Sequence, residues 1–325
     1  MKSIFLPRSR IATTRIGFGC AYLTGGFEAR SNRRLVHAAF DLGFRHYDVA
    51  PPYGIGTAEA ILGEALLGRR HSVTIATKVG LKRPSLSLRK QAVRFVAQPI
   101  RRLAPTVARS LGGRLITASA GARDFSLDAV KLSVVTSLKQ LQTDYLDLLL
   151  LHEVSREDLN DELLTFLDKE RGSGTFLSIG IATKSDKAAL IVEDYPKFFD
   201  VVQYAWNAHD SMGFSDPTHF HITHRAILEA YRKIRALPLE DRRKAKYLQD
   251  EVGFDLGNSE NLSKILLGAA VARNPEGITL AGTRTFKHLR VNASLLDGSQ
   301  FVEAGERLYQ SLNNMAKHEG AQARC

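Results

Sequence analysis

Four residues of this chain have the side chains for joint acid–base chemistry if the fold brings them to one place: Asp48, Tyr53, Lys78 and His152. A tyrosine at its reference pKa of ~10 is a poor proton donor or acceptor near neutrality. A lysine ammonium beside it favours the phenolate and lowers that value, and a carboxylate can hold the ammonium in place. Lys78 and Asp48 suit those two parts, and the His152 imidazole can donate a hydrogen bond to a carbonyl oxygen and orient it. Singly, each residue has an ordinary reading. A strand-end Asp caps a turn, a strand-end Lys is solvated, a Tyr after two prolines packs its loop, and a His can be a satisfied near-core residue. Taken together they favour chemistry, because each falls at or just beyond the end of one of three consecutive strand-like runs.

Those runs are set by the local sequence. Residues 44–49 read as a buried strand, and Pro51-Pro52 forbids its continuation, so Asp48 sits at a carboxyl end with Tyr53 on the loop beyond. Thr57 can cap a helix over 58–67. Residues 72–78 form a β-branched strand that ends in Lys78, and 145–152 an apolar one that ends in His152. Further strands are expected at 15–20, 176–182, 201–206, 220–224 and 277–283. Ser31 can cap a helix over 33–42 closed by Gly43, and Ser126 one running to Leu141. Strand-like runs alternate with helices, and most are apolar on both faces, as covered parallel strands should be. The expected fold class is α/β, a (β/α)8 TIM barrel. A doubly wound sheet also alternates, but Gly17-Phe18-Gly19 is not followed by the third glycine and helix of a dinucleotide fingerprint. We expect a single barrel domain over 1–325, with a basic insertion at 81–124 and a C-terminal helical tail from about 298.

Composition narrows the class. A chain of 325 residues with 44% apolar content can bury a large core. It has no apolar run long enough to span a membrane, and the run near its start is too short for a secretory signal. Two cysteines, Cys20 and Cys325, make neither a disulfide framework nor a metal quartet, so a reduced, cytoplasmic protein is expected. The net charge of +11 is local: residues 82–123 hold ten Lys or Arg and no acid, leaving 35 basic against 34 acidic residues elsewhere. Within that segment Phe95, Val96, Ile100, Leu103, Val107 and Leu111 recur at near-helical intervals, interrupted by Pro99 and Pro105. This pattern predicts two or three short amphipathic helices beside Lys78. The segment is a solvated flap, a lid whose positive field draws an anionic substrate or the cofactor's phosphates, or, more weakly because two prolines cut the helix short, a face for an acidic membrane surface. His219, His221 and His224 lie within six residues, but without a carboxylate or Cys at ligand spacing we expect no metal. Residues 237–259 are charged without a clear period and read as a solvated insertion or a loop over the site.

The sequence resembles the aldo-keto reductase superfamily. The carriers are Asp48-Val49-Ala50-Pro51-Pro52-Tyr53-Gly54 with Glu59 and Leu62-Gly63-Glu64-Ala65-Leu66, then Thr77-Lys78, then Thr143-Asp144-Tyr145-Leu146-Asp147 running on to His152. The resemblance covers roughly 11–207 and 260–297. It implies a barrel, a catalytic tetrad of Asp48, Tyr53, Lys78 and His152, and NADP(H) bound extended without a Rossmann fold, with NAD(H) the alternative. It also implies cofactor contacts from Thr183, Gln203, Gly282, Thr283, Arg284, His288 and Asn292. There are departures. The family's Ser-Asn after strand five reads Ala182-Thr183 here, and His288 replaces an Arg that commonly reads the 2′-phosphate. The strand-seven aromatic with Ser-Pro-Leu is absent, leaving Phe220 or His221. Tyr22, Leu23 and Trp206 are candidates to line a substrate pocket.

The function expected is a carbonyl–alcohol oxidoreductase acting on a small molecule, an anionic one if the basic segment is a lid, with no nucleic-acid partner and no integral membrane segment. A short-chain dehydrogenase is excluded, since none of the nine tyrosines has Lys four positions later. Two other classes remain: a non-catalytic nicotinamide-binding barrel, and an aldolase using Lys78 as a Schiff base.

Overall fold

The computed structural model is a closed barrel of eight parallel strands. It describes residues 3–84, 122–209, 216–296 and 298–322. The expected helices of the basic segment, with Arg94, Arg101, Arg102 and Arg109, lie outside the described residues, as does Cys325. A short hairpin of β1 (Ile4–Phe5) and β2 (Ala12–Thr13) comes first. The barrel strands are then β3 (Ile16–Gly19), β4 (His46–Asp48), β5 (Thr74–Val79), β6 (Leu146–His152), β7 (Phe176–Ala182), β8 (Val201–Ala205), β9 (Phe220–His224) and β10 (Ile278–Gly282). They pair in chain order, and β10 closes on both β9 and β3.

Two apolar cores follow from the alternation of side chains along each strand. Leu149 and Leu151 of β6 point outward into the layer shared with the helices. Ala76, Leu148, Leu150, Ala182, Val201, Ile222 and Leu280 fill the interior, where Ile4 and Leu6 of the hairpin region join them. Lys78, His152, Gln203 and His224 have the same parity as these interior residues, so the strands aim them inward at the carboxyl rim. The sequence that makes a dry barrel therefore also fixes the direction of its polar rim.

Outside the strands lie α1 (Ala29–Asp41), α2 (Ala58–Ala65), α3 (Leu127–Leu141), α4 (Asp161–Ser173), α5 (Ser185–Asp194), α6 (Leu228–Glu240), α7 (Arg242–Val252), α8 (Ser259–Arg273), α9 (Phe286–Ala293) and α10 (Gln300–Gln322). Among the described residues, no helix is long and apolar enough to cross a membrane. Three local expectations are corrected. Ser31 lies inside α1, which starts two residues earlier. Thr57 and Ser126 stand at N-cap positions, but their hydroxyls bond elsewhere: Thr57 Oγ1 donates to the Gly54 carbonyl at 2.7 Å, and Ser126 Oγ to Asp124 Oδ1 at 2.6 Å. Residues 237–259 are not a loose insertion, because the end of α6 and the whole of α7 occupy most of them. Asp241 caps α7 through the backbone N–H groups of Arg243 and Lys244, and Leu248 and Val252 are buried.

The basic segment leaves and re-enters the barrel through a fixed neck. Leu81 bridges Arg123 in antiparallel fashion, and Asp124 N donates to the Gly80 carbonyl at 2.8 Å. Arg83 pairs with the buried Glu59 and donates to the Gly56 carbonyl at 2.8 Å. Gly80 has φ 103°, and a Cβ there would lie 2.2 Å from the Phe125 ring. Glycine is required at that point.

Candidate active site

Asp48 is the last residue of β4, Lys78 the last but one of β5 and His152 the last of β6. Tyr53 opens a single 3-10 turn after the two prolines. Its neighbour Gly54 has φ 56°, and a Cβ would sit 1.8 Å from the Leu23 carbonyl oxygen, so only glycine lets the turn dock there. Lys78 Nζ donates to Asp48 Oδ2 at 2.6 Å and to the Val49 carbonyl at 3.2 Å. It also lies 5.2 Å from the centre of the Tyr53 ring, and His152 meets that ring edge-on at 6.0 Å. All four sequence-predicted residues come together at the rim.

Burial sets their electrostatics. Lys78 is 1% and Asp48 3% exposed, so each charge depends on its partner. Burial pulls the Lys78 pKa down, but the Asp48 carboxylate reverses this and holds the ammonium above the ordinary lysine range. Burial likewise opposes the Asp48 carboxylate, yet Lys78 and Gln203 outweigh it and keep the acid below its usual range. The Tyr53 phenol departs from expectation. Burial pushes it above the ordinary tyrosine value, and the Lys78 ammonium pulls down without winning. Tyr53 is thus a protonated donor at neutral pH rather than a standing phenolate. His152 is brought down to about 3 by burial and by Lys78. Its ring is neutral, with Nδ1 buried and without a partner among the described residues.

The strand-seven position is corrected. Phe220 and His221 lie at the amino end of β9, Phe220 opposite Val201 and His221 edge-on to Tyr204. The aromatic at the rim is His224, two residues beyond the Ile222 that pairs with Gln203. Burial lowers it to about 4, and it senses the charges of Asp48 and Lys78. The three nearby histidines therefore do not converge: His219 bonds to the Asp216 carboxylate, at the opposite end of β9 from His224. Among the described residues no group of three metal-binding side chains occurs.

The remaining predicted residues form two groups. Gln203, on β8, donates its amide to Asp48 Oδ2 at 2.8 Å. Thr183, just past β7, is 5% exposed, and its Oγ1 is buried without a partner among the described residues. The second group gathers at the turn from β10 into α9. Gly282 ends β10 opposite Gly19, and Thr283 is 5% exposed with its hydroxyl bonded to Thr285. Arg284 lies 4.4 Å from the Tyr22 ring centre, His288 is exposed on the first turn of α9, and Asn292 is buried on the last. Arg284 and the helix start present N–H groups suited to an anion. Of the proposed pocket residues, Tyr22 is exposed, whereas Leu23 and Trp206 are buried in the outer core.

The model of the Aldo/keto reductase family matches residues 15–212. The chain is 30% identical over 186 residues to a D-threo-aldose 1-dehydrogenase of a Pseudomonas species, covering 53% of this chain and 51% of that protein. It spans about half the length of the first curated relatives it matches. In structure it is similar to the holo form of an aldo-keto reductase from Bacillus halodurans, with TM-score 0.69, 22% identity and 96% of each chain covered. It is also similar to a Klebsiella pneumoniae aldo-keto reductase in complex with NADPH, with TM-score 0.63, 18% identity and coverage of 95% and 96%. At such identities the structural likeness speaks for the fold.

Proposed function

The chain belongs to the aldo/keto reductase family, and from that premise we propose that it is an NADP(H)-dependent oxidoreductase interconverting a small carbonyl compound and its alcohol. The observation that carries this reading is the buried Asp48–Lys78 pair beneath a protonated Tyr53, with a neutral His152 against the same ring. The cofactor, when bound, supplies or accepts the hydride. Tyr53 Oη gives a proton to the carbonyl oxygen during reduction and takes it back during oxidation. Lys78 stabilises the charge left on the phenol, and Asp48 keeps Lys78 in position. His152 has one ring N–H in its neutral form, and that donor orients the substrate oxygen.

Thr183 and the β10–α9 turn are the groups we assign to the cofactor. The unpartnered Thr183 Oγ1 fits one hydrogen bond to a carboxamide, and Arg284 at the start of α9 fits a phosphate. NADP(H) is preferred over NAD(H) on Arg284 and on the NADPH complex of the Klebsiella relative. A Schiff-base aldolase is disfavoured, because it needs a neutral amine and Lys78 is held charged. A reduced, cytoplasmic setting accords with the two cysteines.

The test is NADPH consumption against a panel of aldehydes, ketones and aldoses, alongside NADPH fluorescence on mixing. Turnover supports the oxidoreductase, while binding without turnover of any carbonyl would leave a nicotinamide-binding barrel. Two further outcomes are expected. Thr183→Asn adds a second amide-type contact and should tighten NADPH about fivefold, the net worth of one hydrogen bond at ~1 kcal/mol. Unchanged or weaker binding in a fluorescence titration would put the carboxamide on another group. The pH profile of kcat/KM for reduction should be level from roughly pH 5 to roughly 9, because His152 and His224 stay neutral and Tyr53 stays protonated. A step near ~6.5 would mean that a histidine titrates during catalysis.

A further inference from the structure

Gln203 stands where the family resemblance would give it to the nicotinamide, and one N–H of its amide is also engaged inside the barrel. Gln203 Nε2 reaches across the barrel interior from β8 to β4 and donates to Asp48 Oδ2 at 2.8 Å. The same oxygen receives Lys78 Nζ at 2.6 Å. One carboxylate oxygen thus takes two donors from two other strands, and all three side chains are nearly inaccessible, Gln203 at 2%. The Gln203 backbone is fixed as well, since its carbonyl accepts from Thr183 N at 3.1 Å.

We propose that Gln203 is a positioning residue for the Asp48–Lys78 pair, its amide N–H locking the carboxylate in the orientation that holds the ammonium under Tyr53. The inference deepens the oxidoreductase reading and rests on it for its catalytic meaning. A neutral amide is the suitable group here. It adds a second donor to the carboxylate without bringing a charge that would repel Lys78. Its donation works with Lys78 against burial, which by itself favours the protonated acid. Lys78 ties β5 to β4 and Gln203 ties β8 to β4, so the carboxylate is held from two sides of the barrel. This bond uses one N–H of the amide, so its second N–H and its Oε1 stay compatible with a cofactor contact.

The test compares wild type with Gln203→Met, which keeps the volume and removes the donor. The Asp48 side-chain carboxyl is followed by carbon NMR over the acid range in which both proteins stay folded, assigned with Asp48→Asn. NADPH affinity is read by fluorescence titration. The expected result is an Asp48 midpoint about one to two pH units higher in the variant, the size of one lost hydrogen bond to a charged group. The NADPH dissociation constant, read alongside, shows whether the remaining N–H and Oε1 of the amide also meet the cofactor, and a raised Asp48 midpoint supports the proposal whatever that affinity does. If Gln203→Met does not fold, Gln203→Asn, which draws the donor back by one methylene, is read in the same way. An Asp48 signal that does not differ between the proteins overturns the proposal. An affinity loss of about tenfold with Asp48 unmoved would assign Gln203 to the cofactor instead. The Asp48 signal needs neither cofactor nor substrate, so it stands even if the wild-type protein turns over no carbonyl.

Discussion

Tyr53→Phe is expected to lower kcat for carbonyl reduction by about 10²–10⁴-fold, the usual worth of a general acid–base group. Only a hydroxyl is lost. The phenyl ring that His152 and Lys78 pack against remains, so folding and NADPH affinity should stay close to wild type. The protonated state of Tyr53 makes the prediction directional. A phenol held above its ordinary pKa is present in the donor form throughout the neutral range while the phenolate that oxidation needs is scarce, so the oxidative rate should climb with pH while the reductive rate does not. Single-turnover measurements in both directions check this. Wild-type turnover in the phenylalanine variant would remove Tyr53 from the chemistry.

Lys78→Met should damage both rate and stability. Removing one partner of a buried ion pair leaves the other charge uncompensated, at a cost of about 3–5 kcal/mol. Urea unfolding at neutral pH should show a loss of that size. The pH dependence gives a sharper criterion. In the wild type the Asp48 pKa is depressed, so its contribution is present above the unfolded carboxylate value and lost as pH falls through the folded one. The Lys78 pKa is raised, so its contribution is present below the unfolded lysine value and lost as pH rises through the folded one. Without Lys78, burial dominates at Asp48 and raises its pKa, so the variant should gain stability on mild acidification where the wild type does not. Adding Asp48→Leu should recover part of the loss. A variant as stable as wild type at neutral pH would mean that the pair is solvated in solution.

Much of the barrel is legible because parallel strands covered on both sides read as unbroken apolar runs, as residues 146–151 do. The convergence of Asp48, Tyr53, Lys78 and His152 is legible because proline stops one strand at a fixed point and Lys78 and His152 fall at the ends of neighbouring strands. What is not legible depends on register and depth. Three histidines within six residues look alike in sequence, and only the pairing of Ala205 with His224 shows which of them reaches the rim. The sequence places Lys78 near Tyr53 but says nothing of how far the phenol is withdrawn from water, so the direction of its pKa is misjudged. In α7 only Leu248 and Val252 are buried among eleven residues rich in charge, too sparse a stripe to announce a helix. Thr57 and Ser126 mark the right boundaries, but nearer polar partners take their hydroxyls.

The neck below the basic segment bears on descent as much as on architecture. Its two ends are already joined in ladder contact at Leu81 and Arg123, with Arg83 tied to Glu59 and Asp124 to Gly80. A lineage can therefore lengthen, trim or exchange the chain between Pro84 and Ala122 while the strand ends around Lys78 keep their places. Even for an unstructured connection, each doubling of length adds only about 0.6 kcal/mol of closure entropy. The neck is a grafting point: the barrel inherits its chemistry through the strands, and what is attached beside that chemistry can change on a separate schedule.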